Sequence, residues 1–211
     1  MRALLVFFLL SGTAGGAEAL PSSSDTAQIL EFARSSDTAL RRQAVVTLAR
    51  EYKKRWLGAA ALPVLRERIS DKDPETRVHA AMCLAGIASF IHLSSRSAEG
   101  KAFGRRTDAD FSADPHLLKA LLTALGDRRS DAREYAAAAL GFAYPPLPRI
   151  EAALLRRWPK EKSAPVRSAI LNALANGGYR TAKVLALARS ALKDRDPLVR
   201  KRAEELLREP R

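Results

Sequence analysis

Residues that build disulfides and metal sites are scarce in this chain. Its 211 residues include one cysteine, Cys83, and three histidines, His79, His92 and His116. A disulfide needs two cysteines, so none can form within the chain. No histidine is followed by glutamate, and these four residues lack the spacing of zinc ligands. We therefore expect no metal centre, and we interpret Cys83 as a small, partly buried helical side chain.

Motifs of enzyme active sites are also missing. The sequence contains no Gly-x-Ser-x-Gly nucleophile turn and no glycine-rich phosphate loop. One pair of carboxylates, Asp108 and Asp110, lies beside Arg105 and Arg106, where solvated loop charges are the simplest explanation. The chain is therefore predicted to be non-enzymatic and to use no cofactor.

Long apolar runs are lacking except at the N-terminus. A short basic start, Met1-Arg2, precedes eight consecutive apolar residues, 3–10, and a small-x-small triplet ends at Ala19. This order is typical of a secretory signal peptide spanning residues 1–19; the alternative is a buried N-terminal helix. Eight apolar residues are too few to span a bilayer, which needs about 20. We expect a mature chain of residues 20–211, without a membrane span, exported to the periplasm or the extracellular space.

One sequence pattern recurs along the rest of the chain. Asp73-Pro74 predicts a helix start, and apolar residues follow at helical spacing from Thr76 to Ala85. Similar helices recur at intervals of 36, 56, 34 and 33 residues, each marked by one arginine: Arg41, Arg77, Arg133, Arg167 and Arg200. This period predicts an all-α fold, an α-solenoid (ARM-type superhelix) of about five antiparallel helix pairs. The longest interval is predicted to hold a loop insertion at residues 94–113.

The repeated helix, Asp-Pro-x-Val-Arg-x-x-Ala-x-x-x-Leu, resembles HEAT repeats of the bacterial PBS-lyase-like type. Residues 196–200, with Ala203 and Leu207, fit it closely, and the resemblance extends over roughly residues 26–208. Ser163, where an aspartate is expected, is one departure. The resemblance implies that aspartates and arginines stack from repeat to repeat as a structural ladder: Arg41, Asp73, Arg77, Arg133, Arg167, Asp196 and Arg200.

The resemblance also bears on activity. Iron-binding hydroxylases of similar fold need repeated His-Glu pairs, which this sequence lacks. The predicted export signal argues against a chromophore lyase. In the fifth unit, Glu204 and Arg208 replace residues that are apolar or glycine in the other units, so this unit is expected to end the array.

The second helices of this fold line one face, and side chains opposite their core stripe are predicted to form a partner-binding groove. The middle of this face is apolar and aromatic and its ends are polar, a common mark of a protein-binding surface. The alternative is that the apolar members pack against the next repeat. The predicted groove residues are Val46, Arg50, Val78, His79, Met82, Tyr135, Phe142, Asn172 and Asn176.

Positive charge is concentrated near the C-terminus. The net charge is +13, of which residues 147–211 contribute +9. Such an excess attracts acidic proteins, anionic polymers or nucleic acid, although nucleic acid is disfavoured for an exported chain, and a solvated surface is the simplest interpretation. The predicted basic patch comprises Arg156, Arg157, Lys160, Lys162, Lys193, Arg195, Lys201 and Arg202.

These features together predict an exported, non-enzymatic HEAT-repeat scaffold, expected to be monomeric, that binds a protein partner along the ridge of second helices. The alternative is a binder of anionic polymer or nucleic acid through the basic C-terminal repeats.

The signal peptide gives the first testable prediction. When the full chain is expressed in a bacterium and recovered from the periplasm or medium, N-terminal sequencing should begin at Leu20. Replacing Ala17 and Ala19 with glutamine removes the small residues that the peptidase requires and should leave the precursor uncleaved. An intact Met1 terminus on soluble protein would instead favour the buried-helix alternative.

Overall fold

The structure, a computed structural model, describes residues 26–51, 58–96, 115–143 and 146–208. Every regular element in these ranges is helical, which confirms the all-α prediction, and a short 3-10 turn at Trp158–Lys160 follows the seventh helix. The ten α-helices in the same ranges are α1 Thr26–Phe32, α2 Thr38–Glu51, α3 Gly58–Arg68, α4 Pro74–Arg96, α5 Pro115–Ala124, α6 Ser130–Leu140, α7 Pro148–Arg157, α8 Ala164–Asn176, α9 Ala182–Ala191 and α10 Pro197–Leu207.

Two predicted segments fall largely outside these ranges. The predicted signal peptide at residues 1–19 is one, and residues 97–113 of the predicted loop insertion are the other. Residues 94–96 were expected to begin that loop, but they form the last turn of α4 instead. The prediction placed this boundary too early because Ser94 and Ser95 are typical of loops, whereas the preceding apolar run is helical and carries the helix through them.

The helices pair in chain order into five repeats, α1–α2 through α9–α10, which form a two-layered α-solenoid. The second helices, α2, α4, α6, α8 and α10, pack closely against one another, whereas the first helices meet one another sparsely. The core lies between the two layers. Its most regular members are Leu48, Leu84, Leu140 and Leu174, each seven residues after a marker arginine and each fully buried.

Helix starts follow the predicted chemistry in two repeats. The Asp73 carboxylate accepts hydrogen bonds from Thr76 N (2.9 Å) and Thr76 Oγ1 (2.7 Å) before α4. The Asp196 carboxylate accepts from Leu198 N (2.8 Å) before α10. Each aspartate is followed by a proline in the first helical turn, where the missing N–H leaves no unpaired donor.

A ladder of ion pairs joins each repeat to the next. In every rung the marker arginine donates from Nε and Nη2 to one carboxylate in the turn between the helices of the following repeat. This two-pronged geometry is the strongest form of the arginine–carboxylate contact. The Nε–oxygen distances are 2.7 Å for Arg41–Asp71, 2.6 Å for Arg77–Asp127, 2.8 Å for Arg133–Glu161 and 2.8 Å for Arg167–Asp194.

Each marker arginine is also anchored to its own repeat. Its Nη1 donates to two backbone carbonyls five and six residues earlier, as Arg77 does to Asp71 O (3.0 Å) and Lys72 O (3.1 Å). The carboxylate of each rung in turn accepts from the backbone N–H two residues later, as Asp71 does from Asp73 (2.9 Å). One rung therefore fixes both turns and the spacing between repeats.

The acidic half of the ladder differs from the prediction. Asp73 and Asp196 were expected to be its acids, but the rungs use Asp71 and Asp194, two residues earlier. The carboxylates of Asp73 and Asp196 instead cap their own helices, and Asp73 also pairs with Arg42 (2.6 Å) rather than with Arg41. The difference is one of position, because the residue two places before the N-cap lies opposite the marker arginine, whereas the N-cap carboxylate of Asp73 meets the next arginine, Arg42.

The third rung is the most buried. The Glu161 side chain is inaccessible to solvent and accepts from Arg133, from Arg157 Nε (2.9 Å) and from Ser163 N (2.8 Å). Burial alone would raise the pKa of this carboxyl group, but the hydrogen bonds from Arg133, the Ser163 amide and Arg157 outweigh it and lower the pKa to about 2.

A glycine permits the close contact between α6 and α8. A Cβ atom on Gly141 would lie 2.6 Å from Ala173 Cα and 2.9 Å from Ala173 Cβ, which is closer than real Cβ contacts allow. Only glycine lets the two second helices approach so closely at this point.

A tyrosine closes the end of α8. Gly178 has φ of 69°, the left-handed conformation that ends helices, and Tyr179 N then bonds to Leu174 O at 3.0 Å. The buried Tyr179 hydroxyl donates to Leu147 O (3.2 Å) and accepts from Leu147 N (3.0 Å). This pair of bonds ties the chain before α7 to the end of α8, a contact that the sequence did not reveal.

The Glu161 rung gives the second testable prediction. Glu161→Gln should lower the free energy of unfolding by about 3 kcal/mol at pH 7, because it leaves Arg133 and Arg157 without their charge partner. Urea unfolding followed by circular dichroism measures this loss. Glu204→Gln, on an exposed glutamate of α10 that forms no ion pair within the described ranges, is the matched control and should change stability by less than about 0.5 kcal/mol.

The same rung predicts an acid transition. The folded pKa of Glu161 is about 2 and its ordinary value is 4.5, so its contribution is complete above pH 4.5 and is lost as pH falls towards 2. The stability difference between wild type and Glu161→Gln should therefore shrink over that interval. A difference that stays constant from pH 7 to pH 2 would contradict this account.

Candidate functional site

The ridge of second helices lies opposite the core stripe, at positions two, five and nine residues after each marker arginine. Most predicted groove residues are found there. Arg50 and Asn176 are exposed, and six others are half-buried: Val46, His79, Met82, Tyr135, Phe142 and Asn172. Val78 is the exception, since it is buried at 6% exposure and is not available to a partner.

Val78 fails as a groove residue because of its place in the repeat. It lies one residue after the marker arginine. Ser168 occupies the same position in α8 and is also buried, at 7% exposure. This position is therefore not available to a partner in repeats two and four.

The centre of the ridge is apolar. Met82, Tyr135, Ala138 and Phe142 all pack against the core while keeping part of their surface exposed. These side chains therefore pack within the array, as one interpretation of the sequence predicts. They also leave an apolar strip partly exposed, as the partner-binding interpretation predicts. Removing a large member would disturb the fold as well as the surface.

Polar groups border this strip at the starts of the second helices. Arg129 bridges two carboxylates, those of Glu75 and Asp131, at 2.6 Å each, and so links α4 to α6. His79 is held by its own helix, with Nδ1 2.8 Å from Glu75 O. Glu134, which the sequence did not single out, is half-buried beside Tyr135; burial, and secondarily the charge of Asp131, raise the pKa of its carboxyl group.

The predicted basic patch is only partly available. Arg157 pairs with Glu161 and Arg202 pairs with Glu205 (2.6 Å), and both arginines are half-buried. The remaining members are exposed: Arg156, Lys160, Lys162, Lys193, Arg195 and Lys201.

A regular basic row runs along the ladder turns, and composition alone did not reveal it. In each of repeats two to five, the residue directly after the rung carboxylate is basic and exposed: Lys72, Arg128, Lys162 and Arg195. None of the four pairs with a carboxylate in the ranges that the structure describes. A cleft of about 650 Å³ lies between two of these turns, lined in part by Lys72, Arg77 and Arg128.

The family model of HEAT repeats matches residues 26–98 and 115–208, which together make up most of the chain. The chain belongs to the HEAT-repeat family. This confirms the resemblance seen in the repeated Asp-Pro and arginine pattern. No curated protein matches this HEAT-repeat chain in sequence.

Solved structures similar to this HEAT-repeat chain are themselves repeat solenoids. The complex of CpcE and CpcF of phycocyanin lyase from Nostoc sp. PCC7120 matches with a TM-score of 0.63 and 19% identity, covering 95% of this chain and 71% of that one. The designed armadillo repeat protein YIII(Dq.V1)4CPAF, in complex with peptide (KR)4, matches with a TM-score of 0.59 and 17% identity, covering 85% and 79%. At these identities the likeness concerns the fold alone.

Cys83 and possible metal-binding side chains are the remaining candidates for reactive groups in the HEAT-repeat chain. Cys83 is buried, and burial raises the pKa of its thiol to about 12, so the nucleophilic thiolate is not available near neutral pH. Across the described ranges, no group of three or more His, Cys, Asp or Glu side chains could hold a metal ion. Among the helices of those ranges, none combines the length and the apolar character needed to cross a bilayer.

Proposed function

We propose that this HEAT-repeat chain is an exported, non-enzymatic scaffold that binds a protein partner along the ridge of its second helices. The supporting observation is the half-exposed apolar strip of Met82, Tyr135, Ala138 and Phe142, bordered by polar and charged groups. Export is supported by the basic start, the apolar run and the small-x-small triplet at residues 1–19. A partner would contact several repeats at once.

The geometry of the strip suits an extended or helical peptide segment. Tyr135 and Ala138 lie three residues apart on one face of α6, Phe142 follows in the turn just after that helix, and Met82 lies on the adjacent helix α4. Aromatic and methionine side chains supply large contact areas at protein interfaces. Glu134, beside Tyr135, gives the strip one carboxylate that can receive a basic side chain of the partner.

The third prediction tests the ridge at its smallest side chain. Ala138→Lys places a charge between Tyr135 and Phe142 without removing core atoms, and its long stem can reach solvent and lie one turn from Glu134. We expect it to weaken partner binding at least tenfold while leaving thermal unfolding nearly unchanged. Ala186→Lys, on an exposed alanine of the outer helix α9, is the matched control.

The measurement compares the three proteins as bait. Each is immobilised and exposed to the envelope fraction of the source organism, and captured proteins are quantified by mass spectrometry. Proteins retained by wild type and Ala186→Lys but lost with Ala138→Lys would be ridge partners. Equal capture by all three variants would place the binding surface elsewhere.

The second candidate function, binding of an anionic polymer, is favoured by the basic row. Lys72, Arg128, Lys162 and Arg195 recur once per repeat along one edge, so they can follow a linear chain of negative charges. The acids beside them are held in the ladder and do not neutralise the row.

The fourth prediction tests this row by salt titration. If all four side chains engage phosphates or sulfates, the logarithm of affinity should fall with the logarithm of salt at a slope of about −3 to −4. Replacing the four with glutamine should abolish most of that slope in fluorescence anisotropy with a labelled polyanion. The matched control replaces four exposed basic residues of the first helices with glutamine: Lys119, Arg149, Lys183 and Arg189.

The outcome is decided by position rather than by total charge. Both variants lose four positive charges, so a loss confined to the row variant supports an aligned binding site. An equal loss in the two variants would show that only net charge matters, and affinity that does not change with salt would exclude this function.

A further inference from the structure

The last marker arginine, Arg200, is an incomplete rung of the ladder. Its Nη1 donates to Asp194 O (2.7 Å) and Arg195 O (2.9 Å), as the Nη1 atoms of the other marker arginines do in their repeats. Its Nε and Nη2, which pair with a carboxylate in the four preceding rungs, make no ion pair with the described part of the chain. Arg200 as a whole is half-buried.

The turn that anchors Arg200 also exposes an apolar side chain. Leu192 lies two residues before the rung acid of repeat five and is 38% exposed. The equivalent residues Ile69 and Leu125 of repeats two and three are buried at 3% and 4% exposure, whereas Pro159 of repeat four is exposed. Repeat five is therefore the repeat with a large exposed aliphatic side chain at this position.

Repeat one carries no acid at the position equivalent to the rung carboxylates. Ser35 occupies the position held by Asp71, Asp127, Glu161 and Asp194 in the later repeats, and its hydroxyl accepts from Asp37 N at 3.1 Å. A second copy stacked head to tail in the register of the repeats would therefore place this serine, and not a carboxylate, against Arg200.

The charge around the fork defines the chemistry of that molecule. Lys193, Arg195, Lys201 and Arg208 are exposed around Arg200, whereas Glu204 is the exposed acid of α10. A partner group that carries negative charge is favoured there. Because two carbonyls already hold Nη1, little side-chain freedom remains to be lost when a carboxylate binds.

We propose that the C-terminal end of the solenoid is a docking site for a protein partner that inserts an aspartate or glutamate side chain into the Arg200 fork and covers Leu192. The carboxylate accepts from Nε and Nη2 and so completes a fifth rung. This site lies on the end of the array and is separate from the ridge, so its success or failure does not depend on the Ala138 experiment.

The test uses the full chain and a defined probe. The probe is an end-blocked peptide with one central aspartate flanked by leucines, and its twin carries asparagine instead. Titration is followed by the ¹H–¹⁵N signal of the Arg200 Nε–H group in NMR spectra, which the spectrum of Arg200→Lys assigns. The aspartate peptide should shift this signal in a saturable manner, and the asparagine twin should not.

Two variants separate the fork from general positive charge. Arg200→Lys keeps the charge but loses the fork and should weaken binding of the aspartate peptide at least fivefold. Arg195→Lys changes an exposed arginine in the same turn whose side chain has no carbonyl anchors, and it should leave affinity unchanged. Equal weakening by both variants, or equal binding of the asparagine twin, would overturn the proposal.

Two further outcomes would also reassign the site. If inorganic phosphate or a DNA duplex shifts the Arg200 signal at lower concentration than the aspartate peptide does, the fork belongs to a phosphate ligand instead of a carboxylate. Sedimentation that shows self-association lost in Arg200→Lys would assign the fork to a second copy of the chain.

Discussion

The ion pair between each marker arginine and the carboxylate in the following turn determines how the repeats meet. Both groups are mostly removed from solvent, so each must be paired and fully hydrogen-bonded to be tolerated there. The arginine meets this demand by donating to a carboxylate of the next repeat and to two carbonyls of its own. Any sliding of one repeat against the next would leave a desolvated charge without a partner.

The two candidate surfaces depend on this constraint. Because the rungs set the register of the second helices, Met82 on α4 and Tyr135 on α6 come to lie on one continuous ridge. The same rungs turn each acidic side chain inward, which leaves the next residue in the turn, Lys72 or Arg128 for example, directed to solvent. The exposure of the basic row is thus a geometric consequence of the ladder.

Much of the fold followed from the sequence because its signals were local. The marker arginines, the helix starts at Asp73 and Asp196 and the leucines seven residues after each arginine all depend on spacing within one helix. The rung acids were misassigned for the opposite reason, since partners in space lie about one repeat apart in sequence. In repeat four the acid is Glu161, which breaks the aspartate pattern and further conceals it.

The candidate site was predicted less completely than the fold. Spacing identified the ridge face, but it could not show that Val78 is buried or that Arg157 and Arg202 already have partners. Tyr179 was missed because its hydroxyl bonds to the backbone of Leu147. A backbone partner cannot be recognised from residue types, since every residue carries the same groups. Packing and backbone contacts of this kind become visible only when neighbouring helices are placed together.

The way in which the ion pairs link successive repeats has an evolutionary consequence. Each inner unit carries an acid for the unit before it and an arginine for the unit after it. After an in-frame duplication or deletion of one whole unit, an arginine therefore still meets a carboxylate at every contact between internal repeats. Such a lineage can vary its number of repeats, while the first described unit, with serine at the acid position, and the last, whose arginine has no ion-pair partner among the described residues, keep distinct identities.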